Sequence, residues 1–157
     1  MLYLPFIFAG MITVVLTILS TIDIKERRLP NKLVLIIAAL GLGYVLIACT
    51  QLGTLIPLQS ALFGMLYTAG PALAISLISK LISGQEGFGA GDIKLLAALG
   101  LYFGQAGIVL LPIACVLAAM VTFPQFMKKT RKHTIAFGPY LSIAAVITMA
   151  VLLLPLL

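Results

Sequence analysis

The residues of this chain most able to do chemistry are its only two aspartates, Asp23 in "STIDIKERRLPNKL" and Asp92 in "EGFGAGDIKLL". Asp23 stands directly against an uncharged run, residues 1–22. An ionisable group at the edge of, or within, hydrocarbon is costly to keep there and is a functional candidate by default. Two carboxylates brought together can hydrolyse a peptide bond through an activated water. Neighbouring carboxylates do not both ionise readily, so such a pair shares a proton. The ionised member takes a proton from the attacking water, and the protonated member donates toward the carbonyl oxygen. Their titration then belongs to the pair. The structural alternative is plainer. Asp23 would pair with Lys25, Arg27 or Arg28, and Asp92 would be a first-turn residue favoured by the helix dipole and paired with Lys94. Two aspartates, one of them following "GFGAG", favour the chemical reading.

No other constellation competes. The single histidine, His133, lies in a basic stretch and reads as solvated. One histidine builds neither a Ser–His–Asp set nor a metal cluster, so no metal and no cofactor is called for. Cys49 and Cys115 sit in apolar runs without a CxxC pair and read as packing residues. "GFGAGD" lacks the Gly-Lys-Ser/Thr of a phosphate-binding loop. Gly87, Gly89 and Gly91 would let backbone approach an extended peptide closely, and a plain flexible loop accounts for them equally well.

These residues must be positioned by a very apolar chain. Of 157 residues 62% are hydrophobic and 9% charged, with mean hydropathy +1.24. Soluble domains carry about 25% charged residues, and apolar runs of about twenty residues match a bilayer crossing. The expectation is an all-α polytopic membrane protein, residues 1–157 forming one membrane-embedded domain. A barrel is excluded because the runs are continuous rather than alternating. The first twenty-two residues lack a basic leader and a cleavage site and read as a retained helix.

Breaks in the apolar runs predict six transmembrane helices, at about 2–22, 32–50, 58–82, 92–103, 107–124 and 135–155, with a kink at Pro71. Asp23 would end the first and Asp92 begin the fourth. Six crossings put all fourteen charged side chains toward one face: loop one with its flanks, the region around Lys80, Glu86, Asp92 and Lys94, and the basic stretch 128–132. The excess of basic residues makes that face cytoplasmic and both termini outside, periplasmic. The net charge of +6 is thereby read as membrane topology and not as nucleic-acid binding. The fourth helix, at twelve residues, would be about 18 Å long against about 30 Å of hydrocarbon. "GLYFG", Gly100 to Gly104, offers a face of small residues for close helix contact.

The motifs carry a resemblance. "GAGD", Gly89 to Asp92, resembles the GxGD signature of intramembrane aspartyl proteases, and with "IKLLAALG" after it looks like the type IV prepilin peptidase family. "DIKERRLPN" is similar to that family's other aspartate motif. "AFGPYL", residues 136–141, is similar to its "PFGPYL"-like segment, with Ala136 in place of proline. The likeness covers nearly the whole chain, in order. It implies that Asp23 and Asp92 are a catalytic dyad, with Pro30, Asn31, Gly89, Gly91 and Lys94 in support, Lys94 for charge balance or lipid phosphate. It also implies a multi-pass protein of the bacterial inner membrane. The activity implied is aspartic endopeptidase cleavage after a glycine, at the cytoplasmic membrane face. The substrates implied are prepilins or pseudopilins of type IV pilus or type II secretion systems, which carry a basic leader before an N-terminal transmembrane helix. The family's longer members have a four-cysteine zinc element linked to N-methylation. This sequence has no counterpart to it, so peptidase activity is expected and methyl transfer is not. The reading from another class is a non-enzymatic membrane subunit of a secretion or transport complex.

Overall fold

The computed structural model describes residues 3–26, 29–84, 87–127 and 137–154. All regular structure among them is helical. Its segments are α1 (Leu4–Glu26), α2 (Asn31–Leu52), α3 (Ile56–Ser83), α4 (Ala90–Phe103), a 3₁₀ stretch (Gly104–Val109), α5 (Leu110–Met127) and α6 (Gly138–Leu153). Four stretches are long and apolar enough to cross a membrane: Leu4–Glu26, Asn31–Leu52, Ile56–Ile82 and Ala90–Thr122. Gly138–Leu153 is apolar but shorter.

The helices follow from the solvent. In hydrocarbon a backbone must satisfy its own polar groups, which an apolar run does only as helix. These helices are apolar on every side, the signature of a span rather than of a surface helix. Their outward faces carry exposed leucine and isoleucine, such as Leu35, Leu66, Leu81 and Ile82. The inward core is built from Ile12, Leu16 and Leu19 of α1, Ile37 of α2, Leu95, Leu96 and Leu99 of α4, and Leu141 of α6.

The short α4 is the central element. Leu95, Leu96, Ala98, Leu99, Gly100 and Phe103 are all buried, and the helix packs chiefly against α3 and α2. Its seam with α3 is made by small residues. A Cβ at Gly100 would lie 2.7 Å from Met65 Cα, and one at Gly64 would collide with the carbonyls of Gly100 and Gly104. Thr68, fully buried in the seam, has its hydroxyl at 2.9 Å from Leu96 O of α4 and at 2.9 Å from Gly64 O of its own helix, and shares its one proton between them. The small-residue face expected at Gly100 and Gly104 is thus a packing face. Gly104 is also where the chain turns. It adopts φ 56° and ψ −142°, which a residue with a side chain rarely takes. Beyond it, a Cβ on Gly107 would sit 3.7 Å from Gly100 Cα. In a continuous helix, positions seven apart lie about 10 Å apart along the axis. The apolar run 90–122 is therefore not one straight rod.

Several expectations need correction. α1 does not stop at residue 22 but continues to Glu26, so Asp23 lies inside a helix and not at its end. The reason is that helix propagation does not require apolar side chains, and nothing before Pro30 forbids another turn. α4 begins at Ala90, giving 14 residues and about 21 Å. The fifth helix starts at Leu110, because the 3₁₀ stretch takes residues 104–109. Cys115 is exposed on α5 and does not fill the interior. Arg27, Arg28, Glu86, the basic stretch 128–132, His133 and Ala136 lie outside the described residues.

Candidate active site

The site is assembled at one end of the bundle. Asp23 sits in the last turns of α1, with only 5% of its surface exposed. Its Oδ2 accepts a hydrogen bond from the backbone N–H of Gly138 at 3.1 Å. Gly138 is the first residue of α6, with a proline at the helix start. The positive end of a helix is thereby set against a buried carboxylate, a favourable pairing.

Asp92 lies in the first turn of α4. Gly89 is the N-cap, in extended conformation, and its carbonyl accepts from Asp92 N–H at 3.0 Å. The Asp92 carboxylate accepts in turn from the Gly89 N–H. This is one half of a capping box, the aspartate at the third helical position reaching back to the N-cap N–H; Gly89 has no side chain to supply the other half, and its carbonyl accepts there instead. Asp92 Oδ1 is buried and has no hydrogen-bond partner among the described residues. The two carboxylates are near enough to act on each other electrostatically.

Contacts between neighbouring residues tie the two halves together. Leu29, in the loop after α1, lies 3.3 Å from a Cβ built on Gly138 and 3.0 Å from one built on Gly91. The rings of Phe88 and Phe137 meet edge to face with centroids 5.2 Å apart. Phe88 immediately precedes Gly89, and Phe137 precedes Gly138.

The supporting residues are placed as follows. Pro30 is the N-cap of α2 and Asn31 its first residue, so the pair starts α2. Lys94 donates from Nζ to Asn31 Oδ1 at 3.3 Å, an exposed tie between the starts of α4 and α2. Gly91 permits the close approach of Leu29, and a Cβ on Gly89 would lie 3.1 Å from Asp92 Oδ2. The glycine strip, for which close approach to a peptide and a plain flexible loop were both open readings, makes specific contacts at its described residues. Ser76 Oγ donates to Phe88 O at 3.2 Å, and a Cβ on Gly87 would lie 3.1 Å from Ser79 Cβ. Beside this strip, between α3 and α4, is a cavity of about 150 Å³ lined by Leu73, Ser76, Phe88 and Ile93.

Two participants, Gly138 and Leu29, carried no assigned role in the sequence. Gly138 had two usable signals, its place in the "AFGPYL" segment and the residue that follows it. A Gly-Pro step opening an apolar run marks a helix N-terminus, and a helix N-terminus is where a carboxylate is welcome. Leu29 had none, because its contacts depend on tertiary packing.

Residues 10–123 match the sequence profile of the type IV leader peptidase family. The chain belongs to this family. It is 38% identical over 149 residues to a protein of Aeromonas salmonicida (strain A449) called prepilin leader peptidase/N-methyltransferase, covering 90% of this chain and 48% of that one. Proteins of the same description from Stutzerimonas stutzeri and Neisseria gonorrhoeae are 36% and 32% identical over 132 and 133 residues. Those matches cover 80% and 85% of this chain, and 43% and 44% of theirs. The chain thus spans about half the length of the curated relatives it matches. No solved structure matches it. Family membership and the apolar helices together make it a multi-pass bacterial membrane protein.

Proposed function

We propose that this chain is an aspartic endopeptidase of the bacterial inner membrane that removes the basic leader of prepilins or pseudopilins. Asp23 and Asp92 are its dyad. One carboxylate takes the proton of a water attacking the scissile carbonyl, and the other protonates the carbonyl oxygen. Cleavage follows a glycine at the cytoplasmic face, where the substrate's leader meets its transmembrane helix. Six crossings, both termini outside and the charged loops in the cytoplasm complete the reading. Residues 1–157 act as one membrane-embedded unit.

One observation carries the proposal. The chain's only two aspartates lie at one end of the bundle, within electrostatic reach of each other, and Asp92 Oδ1 is buried with no partner among the described residues. Two carboxylates that served only as ion-pair anchors would not need each other. Membership of the type IV leader peptidase family supports the substrate class.

The test is co-expression with a prepilin and measurement of leader loss. Asp23→Asn and Asp92→Asn should each abolish processing while the protein stays in the membrane. Processing at the normal rate by either variant refutes the dyad. Failure of the wild type to process, with poor accumulation of both variants, would favour a non-enzymatic subunit.

A further inference from the structure

We propose that Gly138 is a positioning residue for Asp23, and that α6 serves the dyad through the single backbone N–H at its start. The inference rests on the dyad reading above and names a part of the site that the aspartate motifs do not contain.

Three observations converge on it. The Gly138 N–H donates to Asp23 Oδ2 at 3.1 Å across 115 residues of sequence, in a buried setting. There is no room for anything but hydrogen on the Gly138 α-carbon. A Cβ there would lie 2.6 Å from Asp23 Oδ2, 3.1 Å from its Cγ and 3.3 Å from Leu29 Cδ2. The turn bearing the amide is held from several sides. Ser142 Oγ donates to Gly138 O at 2.9 Å, the Leu141 N–H donates to Phe137 O at 3.1 Å, and the Phe137 ring packs on Phe88. The amide is therefore preorganised.

The consequence is a matched pair of clamps. Asp92 is held by the amide of Gly89, the cap of its own helix, and Asp23 by the amide of Gly138, the start of a different helix. Each bond fixes a carboxylate in one orientation. A helix N-terminus is also a favourable neighbour for negative charge. The difference between the two clamps matters. Asp92 carries its clamp along wherever α4 goes. Asp23 keeps its clamp only while α1 and α6 stay in register, so a side chain on Gly138 strikes Asp23 first, with Leu29 as its next neighbour.

The experiment uses the full-length protein in lipid with a prepilin substrate. Gly138→Ala retains the N–H but drives a methyl group into the Asp23 carboxylate. The turnover rate should fall about 100-fold, the loss expected from displacing a catalytic group by roughly 1 Å. Half-saturation by substrate should stay near the wild-type value. Gly10→Ala, in the same helix as Asp23 but with nothing within 4 Å of its added Cβ, should process normally. A Gly138→Ala protein with wild-type turnover overturns the proposal. Glycine-selective ¹⁵N labelling gives a readout that does not depend on Gly138→Ala folding. The Gly138 amide proton resonance should shift between wild type and Asp23→Asn, because the acceptor loses its charge. An unchanged resonance also overturns the proposal. If Asp23→Asn and Asp92→Asn both still process prepilin, the dyad reading fails, while the amide measurement still decides the Gly138 contact.

Discussion

Replacing Gly100 with alanine should loosen the helix that carries Asp92, by an amount that can be worked from the seam. A Cβ at Gly100 would lie 2.7 Å from Gly64 O and 2.7 Å from Met65 Cα, and would collide with Thr68 Oγ1. Both measured neighbours are backbone atoms, so no side-chain rotation relieves them. Ordinary contact begins near 3.4 Å, so α3 and α4 must part by about 0.7 Å, the difference between the two distances. That movement stretches the Thr68 Oγ1–Leu96 O bond from 2.9 Å to about 3.6 Å, beyond hydrogen-bonding range. Overpacking costs about 1–3 kcal/mol, and a lost interhelical bond in a membrane protein about 0.6 kcal/mol. Alanine recovers about 0.5–1 kcal/mol of helix propensity. The net expectation is about 1–3 kcal/mol of destabilisation, since the propensity gain offsets the lost bond. Unfolding in mixed micelles of rising SDS fraction, followed by circular dichroism, measures it. Gly70→Ala is the comparison, because its added Cβ meets nothing within 4 Å, and it should be neutral or slightly stabilising. If Gly100→Ala unfolds at the same SDS fraction as Gly70→Ala, the seam does not bear on stability and the reasoning fails.

Two further outcomes are expected. Lys94→Met removes only an exposed 3.3 Å tie to Asn31, so stability should change by less than about 0.5 kcal/mol in the same assay; a larger loss would mean that the tie is structural. With Cys49 and Cys115 first replaced by serine, single cysteines at Gln51 and Gln105 should react with an impermeant reagent from outside intact cells. A cysteine at Lys129 should react only after the membrane is opened, and the reverse pattern would invert the proposed topology.

What was legible in the sequence was what rarity and period encode. Asp23 and Asp92 stood out because a carboxylate in an apolar chain is expensive, and the structure brings both to one end of the bundle. Gly100 and Gly104 were readable as small residues four apart, although the sequence could not name their partners on α3. The limits were of two kinds. Boundaries at polar stretches were misjudged because loss of hydrophobicity is not loss of helix. α1 therefore runs past Asp23 to Glu26, and the turn at Gly104 continues as a 3₁₀ stretch. Contacts made by backbone were invisible. The Gly138 amide that meets Asp23, and the Ser76 hydroxyl that holds the carbonyl of Phe88, are set by tertiary distance and not by residue pattern.

The short α4, which carries Asp92, is pinned at both ends. Its C-terminal end locks against α3 through Gly104 and Ser60, and the strip leading into it is tied to α3 by Ser76 and by the close approach of Gly87 to Ser79. α4 therefore moves with α3, and Asp92 with it. Asp23 belongs to the other packing partnership, α1 with α6, and takes its orientation from the α6 amide. The carboxylates thus hang on different helix groups, which α2 bridges by packing on both α1 and α4. At the site itself, what joins those groups is the Phe88–Phe137 contact and the side chain of Leu29, wedged between Gly91 and Gly138. The spacing of the two carboxylates accordingly depends on the core that α1, α2, α4 and α6 share, together with those apolar contacts at the site. In the proposed mechanism, residues without any acid–base chemistry of their own thereby help to hold the pair at the spacing that a shared water requires.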